Sequence, residues 1–163
     1  MADHPKLDAI AWQILEALQQ DARISFAELG RMVGLSTPAA AERVRRLEDL
    51  GVITGYHAAL DPAKIGVSMQ VFVRLSIVGG VTTMNRVIAE VKQMREVIQC
   101  YRVTGEDSFI LKADIFSIEH LESLINRLYR FGATSTMTVL STPVIRRDYL
   151  MKNVEALIRE SEK

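Results

Sequence analysis

From Leu7 onward the apolar positions fall at Leu7, Ile10, Ala11, Ile14, Leu15 and Leu18. That is the i, i+3, i+4, i+7 spacing of one helix face. Asp8, Gln13, Glu16, Gln19 and Gln20 fill the opposite face, and Asp21-Ala-Arg breaks the pattern. Ser25 then stands three residues before Glu28, the arrangement of a capping box, ahead of an apolar stripe of Phe26, Leu29, Met32 and Val33. Gly34 can close that second helix in a left-handed conformation. A third helix follows at once. Ser36 is its natural N-cap, Pro38 sits in its first turn, and Ala40, Val44, Leu47 and Leu50 line one side before Gly51 stops it. Ile53–Leu60 is β-branched and aromatic, and reads as an extended segment or wing.

Beyond Gly66 the period changes. Val71, Val73, Leu75 and Ile77 alternate with Gln70, Phe72, Arg74 and Ser76, which predicts a half-buried strand over Met69–Ile77. Met84, Val87, Ile88 and Val91 predict a helix capped at Thr82 or Thr83. Strands follow at Val97–Thr104 and Ser108–Ile115, joined by Gly105-Glu106-Asp107. Ser117 caps a helix with Leu121, Leu124, Ile125 and Leu128 inward, Gly132 ends it, and Thr134–Leu140 is a fourth strand by its β-branched content. The order βαββαβ is ferredoxin-like, with both helices on one sheet face. The open face, carrying Phe72 and Tyr101, invites a second copy of the chain. Asp148–Ser161 is amphipathic and is expected to dock on that dimer as a tail helix. The fold class is α+β. A winged helix-turn-helix domain spans residues 1–60 and a linker spans 61–67. A ferredoxin-like effector-binding and oligomerisation domain spans 68–142, and a tail helix spans 143–163.

The short turn between the second and third helices sets them at a steep angle, so the third can enter a major groove of double-stranded DNA. Its exposed face opens with Ser36, Thr37, Pro38 and Ala39, small enough for close approach to base edges. Glu42, Arg45 and Arg46 are placed to face the bases, with Arg43 nearer the backbone. The alternative is a packed helical hairpin with solvated arginines.

Charge constrains this reading. The 20 Lys+Arg balance 20 Asp+Glu, and residues 1–66 carry seven basic against nine acidic side chains. DNA binding must therefore rest on local placement of charge. With 48% hydrophobic and 25% charged residues, the chain is not of disordered composition. No signal peptide and no membrane-spanning apolar run is evident, so a cytoplasmic protein is expected. His4, His57 and His120 lack ligand spacing, and Cys100 reads as a buried, inert thiol. No catalytic constellation, metal motif or cofactor motif appears, and an enzyme is not expected.

The chain resembles the Lrp/AsnC, or feast/famine, family of transcription regulators. The carrying residues are Leu7-Asp8, Ile14-Leu15, Asp21-Ala-Arg23-Ile-Ser25, Glu28-Leu29-Gly, Val33-Gly34-Leu35-Ser36, Arg43-Val44-Arg-Arg-Leu47-Glu48 and Gly51-Val-Ile53-Thr-Gly55-Tyr56. In the second half they are Thr104-Gly105-Glu106-Asp107-Ser108-Phe109 and Leu140-Ser141. The resemblance implies a DNA-binding regulator that dimerises through its sheet and often assembles to octamers. It also implies a small effector, usually an amino acid, bound between regulatory domains. The implied effector residues are Tyr101, Val103, Thr104, Gly105, Glu106, Asp107 and Ser108, with Thr134, Ser135 and Thr136 facing them. The family's Gly-Asp-Tyr-Asp-like loop is Gly-Glu-Asp-Ser here. Gly105 permits a backbone-held carboxylate, and Asp107 an amino group. Read without the family, this loop is more simply a solvated hairpin turn. A second function class is an amino-acid sensor that regulates a protein partner and does not bind DNA.

Overall fold

The computed structural model describes residues 5–161, so His4 and the outermost residues of the expected domains lie outside the described residues. The elements in chain order are α1 (Ala9–Gln20), α2 (Phe26–Val33), α3 (Thr37–Asp49), β1 (Met69–Ile77), α4 (Val81–Val91), β2 (Val97–Arg102), β3 (Phe109–Ile115), α5 (Ile118–Tyr129), β4 (Gly132–Thr138) and α6 (Met151–Ser161). They form two compact units, one from the described parts of residues 1–58 and 144–163, the other from residues 59–143. The chain thus crosses between the units twice.

In the first unit, Ala11, Ile14 and Ala17 of α1 meet Leu29 and Val33 of α2 and Val44 and Leu47 of α3 in one buried cluster. Three of the expected stripe residues, Phe26, Met32 and Leu50, are exposed instead. They lie at helix ends or flanks that three short helices cannot cover. The expected wing over Ile53–Leu60 contains no strand. Its start is drawn back to α3, where Val52 and Ile53 both donate to the Leu47 carbonyl at 2.9 and 3.1 Å. The tail segment packs within this same unit, and its helix starts at Met151, three residues later than Asp148. The Gln19 carboxamide accepts from Tyr149 N at 2.8 Å and donates to the Tyr149 carbonyl at 3.0 Å. Glu16 accepts from Met151 N at 2.9 Å. Leu150, Met151 and Val154 are half-buried, while Leu157 and Ile158 are exposed.

The second unit is an antiparallel sheet of order β2-β3-β1-β4. Val71, Val73 and Leu75 of β1 and Phe109, Leu111, Ala113 and Ile115 of β3 are buried with Val87 and Val91 of α4 and Leu124 and Leu128 of α5. Burial alternates along β1 and β3, as one covered face requires. Helix α4 begins at Val81 with Gly80 as its N-cap, so the expected caps Thr82 and Thr83 lie inside its first turn. The glycine pair ends β1 and turns the chain into the helix before either hydroxyl is reached. Gly132, expected to end a helix, opens β4 instead, opposite Ile77. Cys100 is exposed, not buried, because β2 is an edge strand paired only with β3. Partial desolvation still pushes its thiol pKa up. Among the described residues, Glu96 is the one buried charged side chain. Arg127 pairs with it, and His120 Nε2 lies 4.0 Å away.

Phe109 is 1% exposed, so Phe109→Ala should remove about 3–5 kcal/mol from the sheet unit. Urea denaturation followed by far-UV circular dichroism checks the loss. Trp12, the single tryptophan, reports the first unit separately by fluorescence.

Candidate functional site

The first candidate surface is built by three caps and a turn. Ser25 Oγ accepts from Glu28 N at 3.2 Å to start α2. Gly34 ends it at φ 72°, the left-handed position that favours glycine. Ser36 Oγ then accepts from Ala39 N at 3.4 Å to start α3, with Pro38 in the first turn. The turn is held against α2 by Leu35 N donating to the Gly30 carbonyl at 2.8 Å. Gly30 is required there by space, since a Cβ would lie 2.7 Å from the Leu35 carbonyl oxygen.

Ala40, Val44 and Leu47 anchor α3 inward. Ser36, Thr37, Pro38, Glu42, Arg45 and Arg46 are exposed, and Ala39 is half-buried. Arg45 lies 3.5 Å from Glu42, with both side chains about 70% exposed. Such a pair is weak and easily exchanged for another anion. Arg43 is turned aside, its Nη2 donating to Asp8 at 2.8 Å. At the end of α3, Tyr56 Oη donates to Glu48 at 2.9 Å. Partial burial, reinforced by that carboxylate, pushes the tyrosine pKa up to about 12.

The second candidate site is the loop between β2 and β3. Val103 N donates to the Ser108 carbonyl at 3.1 Å, and Ser108 N donates to the Leu75 carbonyl at 2.9 Å. Ser108 Oγ accepts from Ile77 N at 3.2 Å. Asp107 accepts from Arg74 Nε at 2.6 Å and from Ser76 Oγ at 3.0 Å. The Arg74 hydrogen bond holds the Asp107 carboxyl below the usual carboxylate range, against the opposing effect of burial. Gly105 turns the loop at φ 114°, with open space where a Cβ would point. Thr104 and Glu106 are exposed and Val103 is half-buried.

Cross-strand pairing places Tyr101 opposite Ile110, Ile110 opposite Arg74, and Arg74 opposite Ser135. These four make one row across the open face. Thr134 and Thr136 lie in β4 on the other face from Ser135, as strand alternation dictates.

The AsnC-type helix-turn-helix domain matches residues 7–48, and the Lrp/AsnC ligand binding domain matches residues 70–149. The transcriptional regulator LrpC of Bacillus subtilis is 33% identical over 136 residues, covering 83% of this chain and 93% of that relative. The chain belongs to the Lrp/AsnC family of transcription regulators. The leucine-responsive regulatory protein of Salmonella typhimurium is 40% identical over 139 residues, covering 82% of this chain and 85% of its own. The solved structure of Bacillus subtilis LrpC superimposes with a TM-score of 0.80 at 32% identity, over 87% of this chain and 100% of that one. A Neisseria meningitidis transcriptional regulator, solved as a complex with L-Met, gives 0.83 at 26% identity, over 91% of this chain and 99% of that one.

The Lrp/AsnC frame puts the α3 surface in a DNA-binding domain and the β2–β3 loop in a ligand-binding domain. Sequence reasoning missed two parts of these sites. Arg74 and Ser76, which fix Asp107, were placed on the open face by alternation, but nothing local links them to a loop about thirty residues on. Asp8 was likewise read only as a polar helix residue. Its signal was an acid just before an apolar-periodic run, the mark of an N-cap.

Gly30→Ala should destabilise the first unit by about 1–3 kcal/mol, because the clash is with backbone that cannot rotate away. A lower denaturation midpoint in Trp12 fluorescence checks it. Asp107 has a lowered pKa in the fold, so its stabilising contribution is complete above its ordinary value of 3.8. That contribution is lost as pH falls from there through the lowered value. The gap in unfolding temperature between wild type and Asp107→Asn should therefore close as pH falls below about 4.

Proposed function

We infer that this Lrp/AsnC regulator reads double-stranded DNA through α3 and answers to an amino acid at the β2–β3 loop. The observation that carries the reading is the uncovered outer face of α3, on which Arg45 and Arg46 are exposed. Thr37, Pro38, Ala39, Glu42, Arg45 and Arg46 face the bases, and Ser36 caps the helix at the groove. Residues 1–60 form the DNA-reading part and 68–142 the effector and assembly part. Residues 61–67 link them, and 143–163 form the tail.

An amino acid carries one positive and one negative group. The loop and the neighbouring β1 offer a match for each, Asp107 for the ammonium and Arg74 for the carboxylate, now joined to each other. The L-Met complex of the Neisseria meningitidis regulator supports this effector class. Ser135 lies beside Arg74 in the cross-strand row and Tyr101 lies one strand further on, beyond Ile110, while Val103–Ser108 supply the turn. The open face, with Phe72, Tyr101 and Met137, pairs with a second copy, and dimers assemble further, up to octamers. A cytoplasmic location and the absence of enzyme activity accord with this role. No helix among the described residues is long and apolar enough to cross a membrane.

The net charge of −2 on residues 1–66 favours a second reading, a sensor that acts on a protein partner. Fluorescence anisotropy separates the two, using DNA from upstream of the gene, a scrambled duplex, two salt concentrations, and pooled amino acids. Sequence-preferring binding that shifts with the pool is expected. Equal, weak binding to both duplexes would put the sensor reading first.

Arg45→Ala should cost about 1–3 kcal/mol of binding and relax specificity at one base pair. A uniform loss across sequences would assign Arg45 to phosphate instead. Arg74→Gln should abolish the shift with amino acids and leave DNA binding in their absence unchanged, read in the same titration.

A further inference from the structure

Asp8, the N-cap of α1, and Arg43, within α3, are 35 residues apart, yet they share one bond of 2.8 Å. Asp8 does two things at once. Its Oδ1 accepts from Ala11 N at 2.8 Å and caps α1, and its Oδ2 accepts from Arg43 Nη2 at 2.8 Å. Beside the pair lies a cleft of about 240 Å³, lined by Lys6, Asp8, Arg43 and Arg46 over a floor that includes Leu7 and Leu47. Three cations therefore face one carboxylate, at the edge of the helix that reads DNA. Of these three cations, Arg43, in the middle of that helix, is the one ion-paired to Asp8.

The cleft has the chemistry of a phosphate seat. A backbone phosphate offers singly charged, hydrogen-bond-accepting oxygens, which suit a guanidinium better than a point cation. The Asp8 carboxylate offers Arg43 the same kind of acceptor from within the molecule. The pair is half open to water, with the Asp8 side chain 50% exposed and that of Arg43 35% exposed, so an incoming phosphate can displace it. We propose that the cleft holding Lys6 and Arg43, with the base-facing Arg46 at its border, is a DNA-phosphate seat, and that Asp8 is its internal competitor, holding Arg43 back and so weakening sequence-independent binding. The proposal rests on the DNA-binding reading of α3. In functional terms, Asp8 raises the share of affinity that must come from base contacts.

The test is Asp8→Asn in the full chain, since asparagine caps a helix as well as aspartate does but carries no charge. Binding to a duplex of random sequence is measured by anisotropy over a series of salt concentrations. Freed Arg43 should raise affinity severalfold near 0.1 M salt and steepen the slope of log K against log salt by roughly one. Adding Arg43→Gln to Asp8→Asn should cancel both gains. Circular dichroism and Trp12 fluorescence verify that the first unit of each variant is folded. If Asp8→Asn leaves affinity and slope unchanged, or weakens binding while the wild type binds DNA, the competitor role is overturned. If the wild type shows no binding to any duplex at low salt, the DNA reading itself fails and the seat fails with it. The wild-type curve alone distinguishes these two failures.

Discussion

The register of β1 governs what the sheet unit can do. This strand pairs with β3 on one side and β4 on the other, so its alternation sets the faces of both neighbours. Val71, Val73 and Leu75 must point at α4 and α5 to be buried. Phe72, Arg74 and Ser76 are thereby forced onto the open face. A slip of one residue would bury a guanidinium and expose three aliphatic side chains, which is far too costly to occur. The same constraint delivers Arg74 to Asp107 and sets Arg74 in line with Tyr101 and Ser135. The hydrophobic core thus fixes the geometry of a polar site that contributes little to the core itself.

The two units handle charge in the same way, by pairing cations locally. Arg43 is matched by Asp8, Arg45 by Glu42, Arg74 by Asp107 and Arg127 by Glu96. The two pairs on α3, Arg43 with Asp8 and Arg45 with Glu42, are open to water and therefore labile. That reconciles a chain of zero net charge with DNA recognition. Cations held by nearby acids remain available to a stronger anion, without the long-range field that a basic surplus would create.

The parts legible in the sequence were those set by local chemistry. Ser25, Ser36 and Ser117 cap helices because a side-chain oxygen meets an amide three residues on, a relation visible in the string. The alternation of β1 and β3 was visible for the same reason. What escaped depended on remote partners or on coverage. The 53–60 segment has the β-branched content of a strand but no strand beside it. Cys100 has the neighbours of a core residue but sits on an edge. Asp8–Arg43 and Arg74–Asp107 join residues separated by more than thirty positions, and no periodicity encodes them.

Because Gln19 and Glu16 hold the tail at Tyr149 and Met151, the first unit is made from both ends of the described chain. The bonds between Gln19 and Tyr149 close a loop across 130 positions. For a flexible chain the entropy of closing such a loop is large, and it falls when the intervening residues have already condensed. Docking of the tail on α1 is therefore least opposed by entropy once the sheet unit between them has formed. During synthesis, the helices made earliest wait longest for their final partner.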